Sequence, residues 1–173
     1  MPVQLVPYDP AWPEQFALHR LEFEQALDPW LSDGVHHIGS TSIPGCAAKP
    51  ILDLMAGVRH LDPAAAVPLT SLGYVQGEHR PSEALWFSRD GSLSRDGSFS
   101  TPGSALHLTQ PGSDLWRERL AFRDALRADD RLRDEYARLK LQLADNDLRG
   151  YTDAKRPFVA EVLASKGIDL ARR

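Results

Sequence analysis

The stretch from His37 to Asp53, HIGSTSIPGCAAKPILD, constrains the fold more than any other part of the chain. An apolar approach through Val35 and Ile38 stops at Gly39-Ser40-Thr41-Ser42, and the run Ile51-Leu52-Asp53-Leu54-Met55 follows a Lys49-Pro50 pair. The pattern predicts a strand, a tight polar loop and a second strand carrying one carboxylate. Glycine lets the backbone approach a ligand because no Cβ intrudes. Successive N–H groups and hydroxyls can hold phosphate oxygens. A carboxylate across from such a loop suits Mg²⁺, which takes one or two protein carboxylates plus substrate phosphates. The segment therefore reads as a site for a phosphorylated small molecule such as a nucleotide. The competing reading is an ordinary connection, with Asp53 a buried acid satisfied by hydrogen bonds.

The rest of the chain narrows the choice. Its 173 residues suit a single domain spanning 1–173. A net charge of −4 argues against broad nucleic-acid binding, which wants a basic surface, but leaves room for a local cationic pocket. No apolar run reaches the ~18 residues of a membrane span, and MPVQLVPYDPAW lacks a signal-peptide pattern. One cysteine, Cys46, excludes an internal disulfide and fits the cytoplasm. Flanked by Gly45 and Ala47, it reads as a small packed residue rather than a nucleophile. There is no GxxxxGK[ST] and no GxGxxG.

Taken in order, Val3–Val6 reads as an edge strand. A helix starts near Asp9-Pro10, turns Phe16, Phe23, Leu27 and Trp30 to one face, and ends at Pro29 and Gly34. The strand–loop–strand unit occupies about 35–58. A helix follows from Asp62 to about Leu72, kinked or divided at Pro68. Tyr74-Val75, Leu85–Phe87 and Ala105–Thr109 are further strand candidates. Between the last two, SRDGSL is repeated as SRDGSF within 88–104, predicting a mobile Gly/Ser loop that closes an antiparallel hairpin. Its Arg89 and Arg95 either clamp an anion or are solvated, and the loop can also be read as a docking segment for a protein partner. Ser113 or Asp114 caps a helix bearing Leu115, Phe122 and Leu126, whose other face, including Glu118 and Arg119, reads as charged surface. A second helix begins near Asp129 or Asp130, with the stripe Leu132, Tyr136, Leu139, Leu143. Asn146–Gly150 breaks the pattern, and a last helix takes Phe158, Val162 and Leu163 inward. Strands early and helices late make an α+β class, with a sheet core over about 1–110 and a helical part over about 113–166.

HIGSTSIPGCAAKPILDL, ALHLTQPGSDLWRERLAFRDALRADDRLRDEYARLK and YTDAKRPFVAEVL together resemble the GrpB family over nearly the whole chain. That family looks like a branch of the polymerase-β-type nucleotidyltransferases. The resemblance implies a mixed sheet flanked by helices and a Gly-Ser loop facing a triphosphate. The superfamily pattern continues with Asp/Glu-x-Asp/Glu and a third carboxylate on a later strand. Gly39-Ser40 and Asp53 fit it; Met55 stands at the second acid, and the 105–109 strand offers His107 instead of the third. Two-metal phosphoryl transfer needs carboxylates for both ions.

The resulting candidates are Asp53 as metal ligand and catalytic carboxylate, His107 as base or ligand, and Gly39, Ser40, Thr41 and Ser42 as the phosphate loop. Lys49, Lys140 and Lys155 are candidate phosphate partners, the last two reaching across from the helical part. Each has a structural alternative: loop capping for the hydroxyls, a surface ion pair or solvation for the lysines, loop fixing for His37. Two functions stand. One is a nucleotidyltransferase-like protein using a nucleoside triphosphate and Mg²⁺ to modify a small acceptor. The other is a noncatalytic nucleotide- or metabolite-binding module. Family relatives fused to dephospho-coenzyme A kinase link that module to coenzyme A metabolism.

Overall fold

The computed structural model describes residues 4–93, 99–145 and 148–171. Helix α1 (Trp12–Leu27) leads into strand β1 (Leu31–Ile38), a 3₁₀ turn at Ser40–Ser42, and strand β2 (Ile51–Val58). Then come helix α2 (Ala66–Ser71) and strands β3 (Val75–Gly77), β4 (Ala84–Arg89), β5 (Ser92–Leu93), β6 (Phe99–Thr101) and β7 (Gly103–Thr109). Four helices follow: α3 (Asp114–Ala128), α4 (Asp130–Leu143), α5 (Leu148–Ala154) and α6 (Arg156–Ala164).

Five strands form one sheet in the order β1-β2-β7-β4-β3. Only β2 and β7 run parallel; the other pairs are antiparallel. The parallel pair requires a long crossover, and α2, β3 and β4 provide it. Side chains alternate across a strand, so each strand feeds two layers. Leu52, Leu54 and Ala56 of β2 join Leu106 and Leu108 of β7 in the main core, with Phe23 and Leu27 of α1 and Leu69 of α2. On the opposite face, Met55 packs with Ile38 and Trp116 of α3. By the same alternation Asp53, Ala105 and His107 lie on this α3 face. The class is α+β, a mixed sheet flanked by helices with four helices gathered after the last strand.

Several local expectations change. Val6 makes a single antiparallel bridge to Ala48 rather than an edge strand. Gly34 does not end the first helix region. It lies within β1, where the pairing to β2 shifts register between Leu31 and Val35. The 62–72 helix is divided at Ala65/Ala66, before Pro68, into a 3₁₀ turn and α2. Leu148–Gly150, expected to break the pattern, is the start of α5. β4 pairs antiparallel with β7, and between them β5 pairs antiparallel with β6; residues 94–98 of the repeat lie outside the described residues. Arg95 lies outside the described residues. Arg89 donates to the Leu72 carbonyl at 2.9 Å, pairs with Glu22 at 3.8 Å, covers the Tyr74 ring and borders a cavity between the sheet and the C-terminal helices.

Candidate functional site

Asp53 pairs with Ile38 on one side and with Ala105 on the other. The chain leaves β1 directly above it and turns at Gly39, whose φ is +68° and ψ −174°. Only glycine enters that region readily. Space demands it as well, because a Cβ on Gly39 would sit 2.4 Å from Asp53 Oδ2. The Gly-Ser loop therefore rests on the carboxylate.

The loop is held from both sides. Ser42 is buried, and its hydroxyl donates to the Gly39 carbonyl at 2.6 Å, closing the turn. Thr41 donates to the Ile51 carbonyl at 3.3 Å, and His37 Nε2 lies 3.0 Å from the Thr41 hydroxyl. His37 points to the α1 face, stacked on Phe16, and burial with Arg127 and Arg123 nearby pushes its imidazole down to about 3. From α3, Arg123 donates to the His37 carbonyl at 3.1 Å and Arg127 to the Ser42 carbonyl at 2.8 Å. Ile43 and Cys46, just after the loop, pack with Leu126, Tyr136 and Val162 of the C-terminal helices.

A cavity of about 910 Å³ opens between the α3 face of the sheet and these helices. Its floor includes Asp53, Ala105 and Ser88, and Gly39 and Ser40 form one rim. Lys49 comes from the approach to β2, Arg119 from α3, and Lys155 from the junction of α5 and α6. These three cations are the charges that act on Asp53. Burial pushes the Asp53 carboxyl up from its usual range, and Lys49, Arg119 and Lys155 pull against that. Burial and the neighbouring cations Lys49 and Lys140 push the Lys155 ammonium down to about 7, and it sits 4.1 Å from the Tyr151 ring centre. Arg119 reaches His79 Nε2 at 3.3 Å through Nη2, while its Nε is buried with no hydrogen-bond partner. Arg80 joins buried Glu118 of α3 by an ion pair.

Of the residues singled out in the sequence, Gly39, Ser40, Thr41, Lys49, Asp53 and Lys155 border this one cavity. Ser40 also hydrogen-bonds the Tyr136 hydroxyl. Ser42 takes the capping role instead of a phosphate role, since its hydroxyl is spent on Gly39. Lys140 is placed elsewhere. It is buried, and its ammonium donates to the Ala47 carbonyl and to Cys46 Sγ, the latter at 3.2 Å. His107 shares the Asp53 face but is buried and does not border the cavity. It is His79, with its ring centre 5.2 Å from that of His107, that borders the cavity. Burial holds His107 well below the usual imidazole range, and its Nδ1 has no hydrogen-bond partner.

Arg119 was hidden in what reads as a charged helix face. The signal was its spacing: Leu115, Arg119, Phe122 and Leu126 follow at offsets of four, seven and eleven, an inward stripe with one cation in it. Trp86 also borders the cavity, a position its apolar neighbours Leu85 and Phe87 disguise as plain core.

The donor set around Asp53 does not fit Mg²⁺. The charges facing this carboxylate are cations, and among the described residues no three His, Cys, Asp or Glu side chains gather in a group able to hold a metal. Among the described residues no helix is long and apolar enough to cross a membrane.

Comparison with known proteins agrees with the fold. The family described as GrpB protein matches residues 2–165, and the chain belongs to that family. A UPF0157 protein of Halalkalibacterium halodurans is 34% identical over 93% of this chain and 80% of its own length. A dephospho-CoA kinase of Mycobacterium tuberculosis is 31% identical over 91% of this chain, which spans 44% of that protein. The crystal structure of the conserved protein GrpB from Enterococcus faecalis superposes with a TM-score of 0.79 at 27% identity, covering 94% of this chain and 96% of that one.

Proposed function

We propose that this GrpB-family chain binds a small phosphorylated molecule, a nucleotide or a related metabolite, in the cavity between sheet and C-terminal helices. Backbone and cation contacts hold it, with no bridging Mg²⁺. The observation that carries this reading is the convergence of Lys49, Arg119 and Lys155 beside the Gly39-Ser40 rim, with one Arg119 donor left unpaired. A buried guanidinium donor without a partner is costly, and a phosphate or carboxylate oxygen is its natural complement. Asp53 keeps the three cations together when no anion is bound and yields them when one arrives.

A second reading, nucleotidyl transfer by a polymerase-β-type fold with Asp53 and His107 in catalytic roles, is favoured by one feature: the Gly-Ser loop lies directly over Asp53. It lacks the second and third carboxylates. The similarity to a segment of mycobacterial dephospho-CoA kinase makes dephospho-coenzyme A a ligand worth including. The lone, buried Cys46 accords with a cytoplasmic setting.

A thermal-shift screen tests the binding reading. It would include pyrophosphate, nucleoside mono-, di- and triphosphates and dephospho-coenzyme A, each with Mg²⁺ and with a chelator. At a hundred times Kd a ligand adds about 2.7 kcal/mol, which moves Tm by roughly 5–10 °C for a chain of this size. The expected shift survives the chelator and is lost in Lys49→Ala and Lys155→Ala. No shift with any probe would overturn the proposal. A shift that requires Mg²⁺ and Asp53 would move the conclusion to transfer.

A further inference from the structure

The cavity has a second feature besides the cations around Asp53. Trp86 sits on β4 and pairs with His107 of β7, which in turn pairs with Met55 of β2. Asp53 lies two residues along β2 from Met55, on the same face. Two strand spacings and two residues of rise separate Asp53 from Trp86 by about 12 Å. The cavity floor beside this line is low at Ala105, which carries only a methyl group, and at Ser88, with buried His107 standing between Met55 and Trp86.

One side of the indole is already covered. Gly77 of β3 pairs with Trp86, and a Cβ there would fall 2.6 Å from Cζ3 and 2.7 Å from Cε3 of the ring. The six-membered ring therefore lies against bare backbone, which holds it in place, and the half-buried side chain also borders the cavity. The other aromatic residues of the lining are engaged. Tyr136 bonds Ser40 and stacks on Phe158, with ring centres 5.3 Å apart. Phe122 meets both of those rings edge-on. Tyr151 faces the Lys155 ammonium. Among the described residues Trp86 enters no such ring or cation contact.

We propose that Trp86 is a stacking platform for a planar ring of the ligand, so that the cavity selects nucleoside phosphates over bare phosphates. This rests on the anion-binding reading above and adds the ring to it. Base–aromatic stacking is sequence-tolerant because every base has a π-face, so purine and pyrimidine nucleotides share the platform.

Isothermal titration of the whole chain tests this with pyrophosphate, adenosine diphosphate and uridine diphosphate. The proteins are wild type, Trp86→Leu and Trp86→Phe. In wild type both nucleotides bind about tenfold or more tighter than pyrophosphate. Trp86→Leu brings them to the pyrophosphate level, Trp86→Phe restores part of the difference, and pyrophosphate affinity stays the same in all three. If Trp86→Leu does not fold, tryptophan fluorescence decides, because adenosine diphosphate quenches wild type and not Trp86→Phe. Nucleotides that bind no tighter than pyrophosphate in wild type, or a difference that survives Trp86→Leu, would overturn the platform and leave anion binding standing. Absence of binding by all three probes would overturn both.

Discussion

Gly39 and Asp53 share a volume that admits only one side chain. A methyl group at Gly39 would meet Asp53 Oδ2 at 2.4 Å, on a backbone with φ +68°. Gly39→Ala must displace the carboxylate or the loop. It is expected to cost roughly 1–3 kcal/mol, read as a lower denaturation midpoint in urea, and to weaken anion binding in the same titration. A midpoint equal to wild type would show that the loop does not rest on Asp53. Lys155 supplies a pH test. Its ammonium is pushed down to about 7 in the folded chain from 10.5. Between these values the unfolded chain binds the extra proton, so Lys155 opposes folding in full below pH about 7, and the penalty fades as pH rises through 10.5. A bound anion reverses the preference and favours the ammonium. Binding above pH 7 therefore takes up a proton, and affinity falls as pH rises, by at most about tenfold per unit. Calorimetry in buffers of different ionisation enthalpy measures that uptake. It should vanish in Lys155→Met, and uptake unchanged in that variant would remove Lys155 from the site.

At the scale of elements, the C-terminal helices act by placing cations in stripes that otherwise bury apolar side chains. Lys140 follows Tyr136 by four residues on α4 and is buried at the same face, its ammonium on Ala47 and Cys46 and 4.7 Å from the Tyr136 ring centre. Long side chains of this kind pack their stems and bond through their tips. Lys140→Ala strands the Ala47 carbonyl and leaves a cavity, at an expected cost of about 2–4 kcal/mol. Anion affinity of the folded protein should stay within about twofold, whereas Lys155→Ala should show the opposite pattern. A tenfold loss of affinity in Lys140→Ala would return Lys140 to the site. The same physics explains what the sequence disclosed. Strands β1, β2, β4 and β7, a cap at Ser113 or Asp114, a helix start near Asp129 or Asp130, and a carboxylate across from the Gly-Ser loop follow from apolar alternation and local capping chemistry, and were legible. Arg119 and Lys140 were not. Their charge argues for solvent, and only the tertiary approach of α3 and α4 to the loop gives that charge a buried partner or a cavity to face. Ser42 was ambiguous for a related reason: a hydroxyl in a tight turn can serve a ligand or its own backbone, and here it donates to the Gly39 carbonyl.

At the scale of the molecule, the two sheet faces do different work. The α1 and α2 face is a continuous apolar core. The α3 face is apolar only around Ile38, Met55 and Trp116 and gives way to the cavity beside it. The roof of that cavity is joined to its floor by Arg123 and Arg127 on loop carbonyls, Lys140 on Ala47 and Cys46, Arg80 paired with Glu118, Arg119 on His79, the Ser40–Tyr136 hydrogen bond, and the small cluster that sets Ile43 and Cys46 against Val162 and its neighbours. An anion held by Lys49 below and by Arg119 and Lys155 above adds a further link between the layers. Openings that lift α5 and α6 would then have to release it, whereas fraying on the α1 face would not. Bound ligand at a hundred times Kd should slow amide exchange in α5, α6 and the Gly39–Ser42 turn by up to about a hundredfold, wherever exchange proceeds through such openings. Amides of α1 and α2 that exchange by local fraying should be unaffected. Hydrogen–deuterium exchange with and without pyrophosphate measures both. Protection confined to the β1–β2 side, with α5 and α6 unchanged, would mean that the anion sits on the loop alone and that the C-terminal helices form no part of its site.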